Sequence, residues 1–364
     1  MENLRIPGPT PCPNDVLQAM TRQMINHRGG EFGQILNDVT ANLKQLFQTK
    51  GDVFLLTSSG TGGLEAAIVN TLSPGDKVLS VAIGVFGERF ATIAQQFGAE
   101  VIPLHFEWGR AADIDAVRRA LQAAPEIKAV LVTHNETSTG VTNDLASISS
   151  VVNEFDKLLL VDAISSLGSI NLPVDDWHCD VTVTGSQKGW MVPPGLAMVS
   201  VSSKAWQAHS KAKMPRFYWD FTKAKSLLEK RQTPWTPAIS TVFALSVSLE
   251  MMLNEGLSNI IARHARVGKA TRDGIKSLGL SLFAEENYAS NTVTAVAATD
   301  GLDTKKLSKI MREEHQIVLA GGQQSLDGKI FRIGHLGWVT EDDIEPVISA
   351  LKVALPQAGF VKVK

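Results

Sequence analysis

Residues 181–195, VTVTGSQKGWMVPPG, begin with the alternation of a β-strand and then break into a loop rich in glycine and proline. A single lysine, Lys188, stands at the break. Three other short apolar runs, at 52–57, 129–135 and 157–163, are also followed by small or polar residues. Apolar runs of this kind, separated by amphipathic helical segments, predict parallel strands that helices cover on both faces.

The same alternation of predicted strands and helices extends over most of the chain. Further strands are predicted at 77–83, 180–185 and 195–202, and helices from about Leu64, across 87–97 and over 144–155. After Arg231 the pattern changes: two prolines interrupt 232–240, a helix is predicted over 241–253, and charged helices with fewer strands follow, including one strand at 329–336. We therefore expect an extended N-terminal arm (1–20), a large α/β domain (21–255) and a smaller C-terminal α+β domain (256–364).

The composition favours small-molecule chemistry. Of the 364 residues, 35 are basic and 37 acidic, and no long run of either sign occurs, which argues against nucleic-acid and membrane-surface partners. Two cysteines are too few for a disulfide framework, so a reducing compartment is expected. No apolar run approaches the ~20 residues that cross a bilayer, and the N-terminus lacks a secretory pattern. These features predict a cytoplasmic protein.

The loop after the first strand, SSGTGG (58–63), is a candidate phosphate site. It places small residues and hydroxyls between a strand and a helix, where free N–H groups and the helix dipole favour an anion. A plain tight turn would need the same glycines for steric reasons. The loop matches neither the Walker pattern nor G-x-G-x-x-G, so nucleotide binding is disfavoured.

Asp162 and Lys188 are unusual residues for the ends of apolar strands. A carboxylate at the end of KLLLVD needs a cation or a strong donor, although it could instead cap the following turn. A partly desolvated lysine has a lowered pKa and becomes a nucleophilic amine, although a lysine can also extend to solvent. Ligands bind at the carboxyl ends of strands in such sheets. A phosphate cradle, a carboxylate and a reactive lysine together are what pyridoxal 5′-phosphate requires.

Several segments resemble the signature segments of class V aminotransferases of fold type I, in the branch of alanine–glyoxylate and serine–glyoxylate (serine–pyruvate) aminotransferases that also includes the so-called small subunit of soluble hydrogenase. These segments are GPTP (8–11), TSSGTGGLEA (57–66), THNETSTG (133–140), VDAISS (161–166), GSQKGWMVPPG (185–195) and FRIGHLG (331–337). The resemblance covers nearly the whole chain. It implies the α/β pyridoxal phosphate-transferase fold, with a mainly parallel seven-stranded sheet in the large domain.

The resemblance also implies a role for individual residues. Lys188 corresponds to the lysine that binds the cofactor aldehyde, and Asp162 to the carboxylate on the pyridine nitrogen. The other cofactor contacts correspond to Ser59, Gly60, Thr61, Gln187, Phe86, Thr137 and Thr236. Phe86 would stack on the ring, Thr137 would lie near its O3′, and Thr236 would cross from a partner subunit to the phosphate, which makes a homodimer part of the prediction. Thr233 stands where some relatives have a tyrosine. Arg332 and Gly8 would contact the substrate, since a guanidinium forks onto a carboxylate.

The implied reaction is a ping-pong transfer of an amino group from alanine or serine to glyoxylate or pyruvate. A transaminase for 2-aminoethylphosphonate or pyridoxamine, or a scaffold subunit without catalysis, remains an alternative. A cysteine desulfurase would need a thiolate on an active-site loop, whereas Cys179 opens a predicted strand and Cys12 lies in the N-terminal arm.

Two further groups of residues carry weaker signals. His134, His178 and Cys179 lack the spacing of metal ligands, so no metal site is predicted. Trp190, Trp235 and Trp338 could line a substrate pocket or pack at a subunit interface.

Overall fold

The structure is a computed structural model and describes residues 2–361. Its helices are α1 (Asn14–Ala19), α2 (Gly30–Phe47), α3 (Gly60–Thr71), α4 (Val85–Gln96), α5 (Ile114–Ala123), α6 (Leu145–Glu154), α7 (Ser203–His209), α8 (Phe221–Leu228), α9 (Ile239–Glu255), α10 (Leu257–Ser277), α11 (Thr304–His315) and α12 (Glu345–Gln357). Its strands are β1 (Asn3–Arg5), β2 (Asp52–Thr57), β3 (Lys77–Ala82), β4 (Glu100–His105), β5 (Ala129–Thr133), β6 (Asn135–Glu136), β7 (Val141–Thr142), β8 (Leu158–Asp162), β9 (Val181–Gly185), β10 (Leu196–Val201), β11 (Val293–Ala297), β12 (Ile317–Gly321) and β13 (Ile330–Gly334).

Seven strands form the central sheet, in the order β2–β10–β9–β8–β5–β3–β4. Strand β10 is antiparallel to both of its neighbours, and the remaining pairs are parallel. Strands β5 and β8 are buried along their whole length, as expected for strands that helices cover on both faces. The mainly parallel seven-stranded sheet predicted from the sequence is confirmed.

Two apolar layers enclose this sheet. One layer includes Phe32 of α2 and Phe243 of α9, and the other includes Leu64 of α3 and Phe90 of α4, all of them at most 1% exposed. Burial of each such side chain stabilises the fold by about 1.5–3 kcal/mol. The layers therefore hold the carboxyl ends of the strands in fixed positions, which is what a site built on those ends needs.

Helix α3 begins four residues earlier than the sequence predicts, at Gly60 instead of Leu64. The glycines belong to its first turn because the neighbouring chain leaves no space for side chains there. A β-carbon at Gly60 would lie 2.5 Å from Ile164 Cδ1, and one at Gly63 would lie 2.6 Å from Val183 Cγ1. Close packing of α3 against the sheet thus explains the glycine-rich sequence better than loop flexibility does.

The N-terminal segment is more regular than predicted. The expectation of an extended arm over residues 1–20 was wrong for Asn14–Ala19, which forms the short helix α1 directly after Pro13. Strand β1 pairs in parallel with β12, so Asn3 lies opposite Ile317. Residues 6–13, which join β1 to α1, cross from the C-terminal sheet to the central sheet.

The C-terminal part contains a second sheet, in the order β1–β12–β13–β11. Phe331 of β13 and Leu351 of α12 are fully buried in its core. Gly256, with a φ of +85°, separates α9 from α10, at the position where the sequence predicts a domain boundary. The division into arm, large domain and small domain stays a prediction. Strand β4, which the sequence reading did not identify, is an edge strand, where its proline is tolerated.

Candidate active site

The carboxyl edge of the central sheet surrounds one cavity. It is lined by Ser59, Gly60, Thr61, Leu64, Phe86, Arg89, Asn135, Thr137, Asp162, Ile164, Ser165, Gln187 and Lys188. The lining comes from the ends of β9, β8, β5 and β3, which are neighbours in the sheet, and of β2, which β10 separates from β9. Eight of the residues predicted as site residues therefore meet in one place.

The N-terminus of α3 points into this cavity with donors to spare. Ser59 occupies the N-cap position in an extended conformation, and no side chain caps the helix. Beside it, the side-chain oxygen of Gln187 is buried and has no hydrogen-bond partner among residues 2–361. Uncapped helix N–H groups are a donor set that fits a phosphate. The Gln187 oxygen is an acceptor, so it is the amide nitrogen of this side chain that would donate to the anion.

Asp162 ends β8 and is 3% exposed. Its Oδ1 accepts a hydrogen bond from the Ile164 N–H at 2.9 Å, and Oδ2 has no hydrogen-bond partner among residues 2–361. Burial raises the Asp162 pKa to about 7, and the nearby Glu136 charge adds to the effect. A buried carboxylate with a free oxygen fits a protonated ring nitrogen, which would supply the missing donor.

Lys188 follows β9 and lies in the same cavity. Its Nζ donates to the carbonyl oxygen of Pro7, in the segment that crosses from the C-terminal sheet. Burial lowers the Lys188 pKa to about 8, Asp162 opposes this shift, and the positive charges of Arg332 and Arg89 add to it. The lysine predicted from the break in residues 181–195 is therefore desolvated, as its proposed chemistry requires.

Arg332, in β13, reaches the same region from the second sheet. Its Nε donates to the Gly321 carbonyl at 2.9 Å and its Nη1 to the Thr137 carbonyl at 3.0 Å. It is 5% exposed, and burial lowers its pKa to about 10, partly offset by Glu136. Two carbonyls fix the plane of the guanidinium, and no carboxylate among residues 2–361 forms an ion pair with it.

Five residues of the lining were not predicted: Leu64, Arg89, Asn135, Ile164 and Ser165. Asn135 Nδ2 and Thr137 Oγ1 both donate to Ser165 Oγ at 2.8 Å, which links the segment after β5 to the turn after β8. The Arg89 guanidinium lies 4.7 Å from the centre of the Phe86 ring. Four of them fall within the quoted motifs, so motif position was the available signal, and Arg89 lies outside those motifs.

Thr236 lies outside the cavity. It is exposed, in the loop before α9, and the cavity of its own chain does not include it. Gly8, by contrast, contacts Lys188 directly: a β-carbon built at Gly8 would lie 2.7 Å from Lys188 Nζ.

The cysteines do not take part in this cavity. Cys179 is 2% exposed, and burial raises the pKa of its thiol far above the ordinary value. Burial also raises the Cys12 pKa. Neither residue lines the cavity, so neither supplies a reactive thiolate there. Across residues 2–361, no cluster of three potential metal ligands occurs, and no helix combines the length and apolarity needed to span a bilayer.

Comparisons with known proteins place this geometry in a family. The family model described as "Aminotransferase class-V" matches residues 3–344. The chain is 48% identical to the soluble hydrogenase 42 kDa subunit of Anabaena cylindrica, over 98% of this chain and 94% of that protein. It is 38% identical to the L-aspartate–glyoxylate aminotransferase of Paracoccus denitrificans (98% and 91% covered) and 36% identical to the serine–glyoxylate aminotransferase of Methylorubrum extorquens (98% and 92% covered).

A solved structure agrees over the whole fold. The alanine–glyoxylate aminotransferase of Nostoc sp. superposes with a TM-score of 0.94 at 31% identity, covering 97% of this chain and 95% of that one. The sequence resemblance to class V aminotransferases is thus confirmed, together with the fold that it implied. This chain belongs to the class-V aminotransferase family and is a pyridoxal phosphate-dependent transaminase.

Proposed function

We propose that this transaminase moves the amino group of a small amino acid, alanine or serine, to glyoxylate or pyruvate in two half-reactions. The observation that carries the proposal is the meeting of Lys188, Asp162 and the uncapped α3 N-terminus in one cavity, with Arg332 beside it. Glyoxylate as amino acceptor is supported by the names of relatives, which share this acceptor and differ in the donor.

The cavity offers a partner for each part of pyridoxal 5′-phosphate. The α3 N-terminus, with Ser59, Gly60 and Thr61, would hold the phosphate together with Gln187. Asp162 would bind the ring nitrogen through its free oxygen. Phe86 would stack on the ring, and Thr137 would lie at its hydroxyl edge. When bound, the cofactor supplies an aldehyde carbon and a ring that accepts electrons.

Lys188 would act twice. With its pKa lowered to about 8, a useful fraction of Nζ is unprotonated near neutral pH, so the amine can attack an aldehyde. With a substrate amino acid bound, Nζ would serve as the base that takes and holds the proton of the substrate α-carbon. The Pro7 carbonyl provides an acceptor for the free amine during this step. Asp162, as a carboxylate, would keep the ring nitrogen protonated.

Arg332 would bind the substrate carboxylate. Its orientation by the Gly321 and Thr137 carbonyls leaves its remaining N–H groups for a bidentate contact. Gly8 lies over Lys188 and would border the substrate, because a side chain there would occupy space next to the reacting amine.

We also propose a homodimer in which Thr236 reaches the partner's phosphate site. Thr236 is exposed and adjoins an aromatic group made of Phe217, Tyr218 and Trp235, in which Phe217 stacks on Trp235 with ring centres 4.9 Å apart. Phe217 is 71% exposed in the single chain. Exposed aromatic clusters are typical of interfaces, so this surface supports contact with a second copy.

The three tryptophans differ in environment. Trp190 is fully buried and donates to Thr184 Oγ1, so it is a core residue. Trp235 belongs to the proposed interface, and Trp338 is half exposed elsewhere. None of the three lines the cavity. A cytoplasmic location is part of the proposal, since free cysteines and the balanced charge suit it.

One experiment tests the core of the proposal. Purified protein mixed with pyridoxal phosphate should develop an absorbance that borohydride fixes to the chain, and Lys188→Ala should abolish that fixation. A matrix of donors (alanine, serine, aspartate, 2-aminoethylphosphonate, pyridoxamine) against acceptors (glyoxylate, pyruvate) then identifies the substrates. Borohydride fixation in Lys188→Ala at the wild-type level contradicts the site. Cofactor binding without turnover of any pair supports the scaffold alternative instead.

A further inference from the structure

Glu136 is a buried carboxylate to which the proposed function assigns no role. It is fully buried in the short strand β6, one residue before Thr137. Its carboxylate accepts hydrogen bonds from the backbone N–H groups of Phe86 (3.1 Å), Gly87 (3.0 Å) and Ser138 (3.1 Å). The Ser138 hydroxyl donates a fourth, at 2.5 Å. All four partners act as donors, and these hydrogen bonds favour the ionised carboxylate, while burial raises the Glu136 pKa.

The chain clears space for this carboxylate at the N-terminus of α4. A β-carbon at Gly84 would lie 2.6 Å from Glu136 Cγ and 2.7 Å from Cδ. Helix α4 has no side-chain cap of its own, and the Val85 N–H donates to Ser138 Oγ at 3.0 Å. Glu136 and Ser138 therefore cap α4 from another part of the chain, where the helix dipole favours a negative charge.

Three site residues depend on this cap. The peptide N–H of Phe86 is one of its donors, so the cap holds the backbone that carries the Phe86 ring. Thr137 lies between Glu136 and Ser138, and its Oγ1 donates to Ser165. The Thr137 carbonyl accepts from Arg332 Nη1, and Arg332 forms no ion pair among residues 2–361. Glu136 supplies the negative charge that acts on this guanidinium.

We propose that Glu136 is a positioning residue for both halves of the site: its carboxylate fixes the Phe86 ring against the cofactor, and it fixes the Thr137 carbonyl that orients Arg332 toward the substrate carboxylate. This proposal rests on the proposed function, because it takes the roles of Phe86 and Arg332 from it.

The test compares Glu136→Gln with a matched buried carboxylate. A glutamine amide nitrogen cannot accept the backbone N–H groups, so the cap must rearrange. Asp180→Asn is the control: Asp180 is also buried and accepts from the Leu159 N–H at 2.9 Å and the Ser202 hydroxyl at 2.7 Å, at the opposite end of β9. Three quantities are measured: the Kd of the apoprotein for pyridoxal phosphate, the circular dichroism of the bound cofactor, and KM and kcat for the amino acid.

For Glu136→Gln we expect the Kd and the KM each to rise about 10-fold, the effect of one lost charge-assisted hydrogen bond, and the cofactor's circular dichroism to change. Asp180→Asn should lower the melting temperature and leave these three readouts at wild-type values. If Glu136→Gln lowers only the melting temperature, as the control does, Glu136 is merely structural and the proposal is overturned.

If Glu136→Gln fails to fold, Ser138→Ala is the variant that tests the proposal. It removes the hydroxyl that donates to Glu136 and accepts from the Val85 N–H, and it keeps the carboxylate with its backbone donors. The Kd should therefore rise about 3-fold, less than in Glu136→Gln, with an altered circular dichroism band. If the Kd and the circular dichroism of the Ser138→Ala protein both equal the wild-type values, the proposal is overturned. Failure of the proposed function and failure of the Glu136 proposal give different results. Wild-type protein that takes up no pyridoxal phosphate overturns the proposed function itself. Equal uptake by wild type and Glu136→Gln overturns only the role of Glu136.

Discussion

The backbone of Gly8 lies so close to the Lys188 side chain that a β-carbon at position 8 would come within 2.7 Å of Lys188 Nζ. Gly8 also has a φ of +110°, a conformation that residues with side chains rarely adopt. We predict that Gly8→Ala displaces either the lysine or the segment above it. Because a shift of about 1 Å at a reacting group can cost up to about 100-fold, kcat should fall by that order, measured with the best donor and acceptor.

The control for this variant is Gly75→Ala. Gly75 has a φ of +83°, and a β-carbon there would meet no atom within 4 Å. Both variants should lose about 1–3 kcal/mol of stability to backbone strain, as thermal unfolding would measure. Only Gly8→Ala should lose activity, and equal kcat values in the two variants would contradict the contact with Lys188.

The lowered pKa of Lys188 predicts how capture of the cofactor depends on pH. The neutral amine is the nucleophile, so the rate at which apoprotein takes up pyridoxal phosphate should rise with pH, reach half its maximum near pH 8, and level off above it. An ordinary lysine would keep rising to beyond pH 10. Stopped-flow absorbance measures this rate, and a midpoint above pH 10 would show that Nζ is solvated.

Charged neighbours should move this midpoint in opposite directions. Asp162 raises the Lys188 pKa and Arg332 lowers it, so Asp162→Asn should shift the midpoint to lower pH and Arg332→Gln to higher pH. The same pKa affects folding. Between pH 8 and 10.5 the unfolded chain binds the extra proton at Lys188, so its contribution to the free energy of unfolding increases with pH.

Arg332→Lys should weaken the binding of carboxylate substrates. A lysine cannot donate to Gly321 and Thr137 while also forking onto a carboxylate. We expect kcat/KM to fall about 10- to 100-fold, mostly through KM, since hydrogen bonds to charged groups contribute about 1.5–3 kcal/mol. Steady-state kinetics with an amino acid and a 2-oxo acid measures the change.

A matched arginine lies outside the cavity. Arg272 is also partly buried and donates from Nη1 to the Ser290 carbonyl at 2.8 Å. Arg272→Lys should therefore lower stability and leave KM unchanged. If both substitutions affect KM alike, the effect comes from packing and Arg332 has no special role toward the substrate.

The sequence predicted the parts of this fold that follow from local pattern. The buried runs that became β5 and β8 are continuous and apolar, and they are bounded by turns, so their period and length are visible without the structure. Asp162 ends one of these strands and the segment around Thr137 follows the other, which is why the quoted motifs contain most of the cavity lining. The positions of these residues follow from sequence patterns that are local to each strand.

What the sequence could not provide depends on contacts between distant segments. The early start of α3 reflects packing of Gly60 against Ile164 and of Gly63 against Val183, each more than 100 residues away. The role inferred for Glu136 depends on N–H groups about 50 residues earlier in the chain. No periodicity encodes such pairings, because they arise only when the sheet order brings the strand ends together.

The last prediction concerns the proposed homodimer. In Phe217→Asp a charge replaces a ring that is 71% exposed in the single chain and stacks on Trp235, next to Thr236. If this surface contacts a second copy, burying the new carboxylate without a partner is costly, so the variant should be monomeric by sedimentation while the wild type is dimeric. Cofactor affinity should fall about 10-fold with it, the effect of one lost hydrogen bond to the phosphate, because each site would lose the partner's contribution.

Val353→Asp tests whether any exposed apolar residue would behave in the same way. Val353 is 54% exposed on α12, away from Thr236 in the sequence and in the C-terminal part of the fold. That variant should remain dimeric with wild-type affinity for pyridoxal phosphate. Thr236→Ala should reduce the affinity and leave the dimer intact, since it removes a hydroxyl and no apolar surface. A monomeric Phe217→Asp chain that binds the cofactor as tightly as the wild type would mean that each site is complete within one chain.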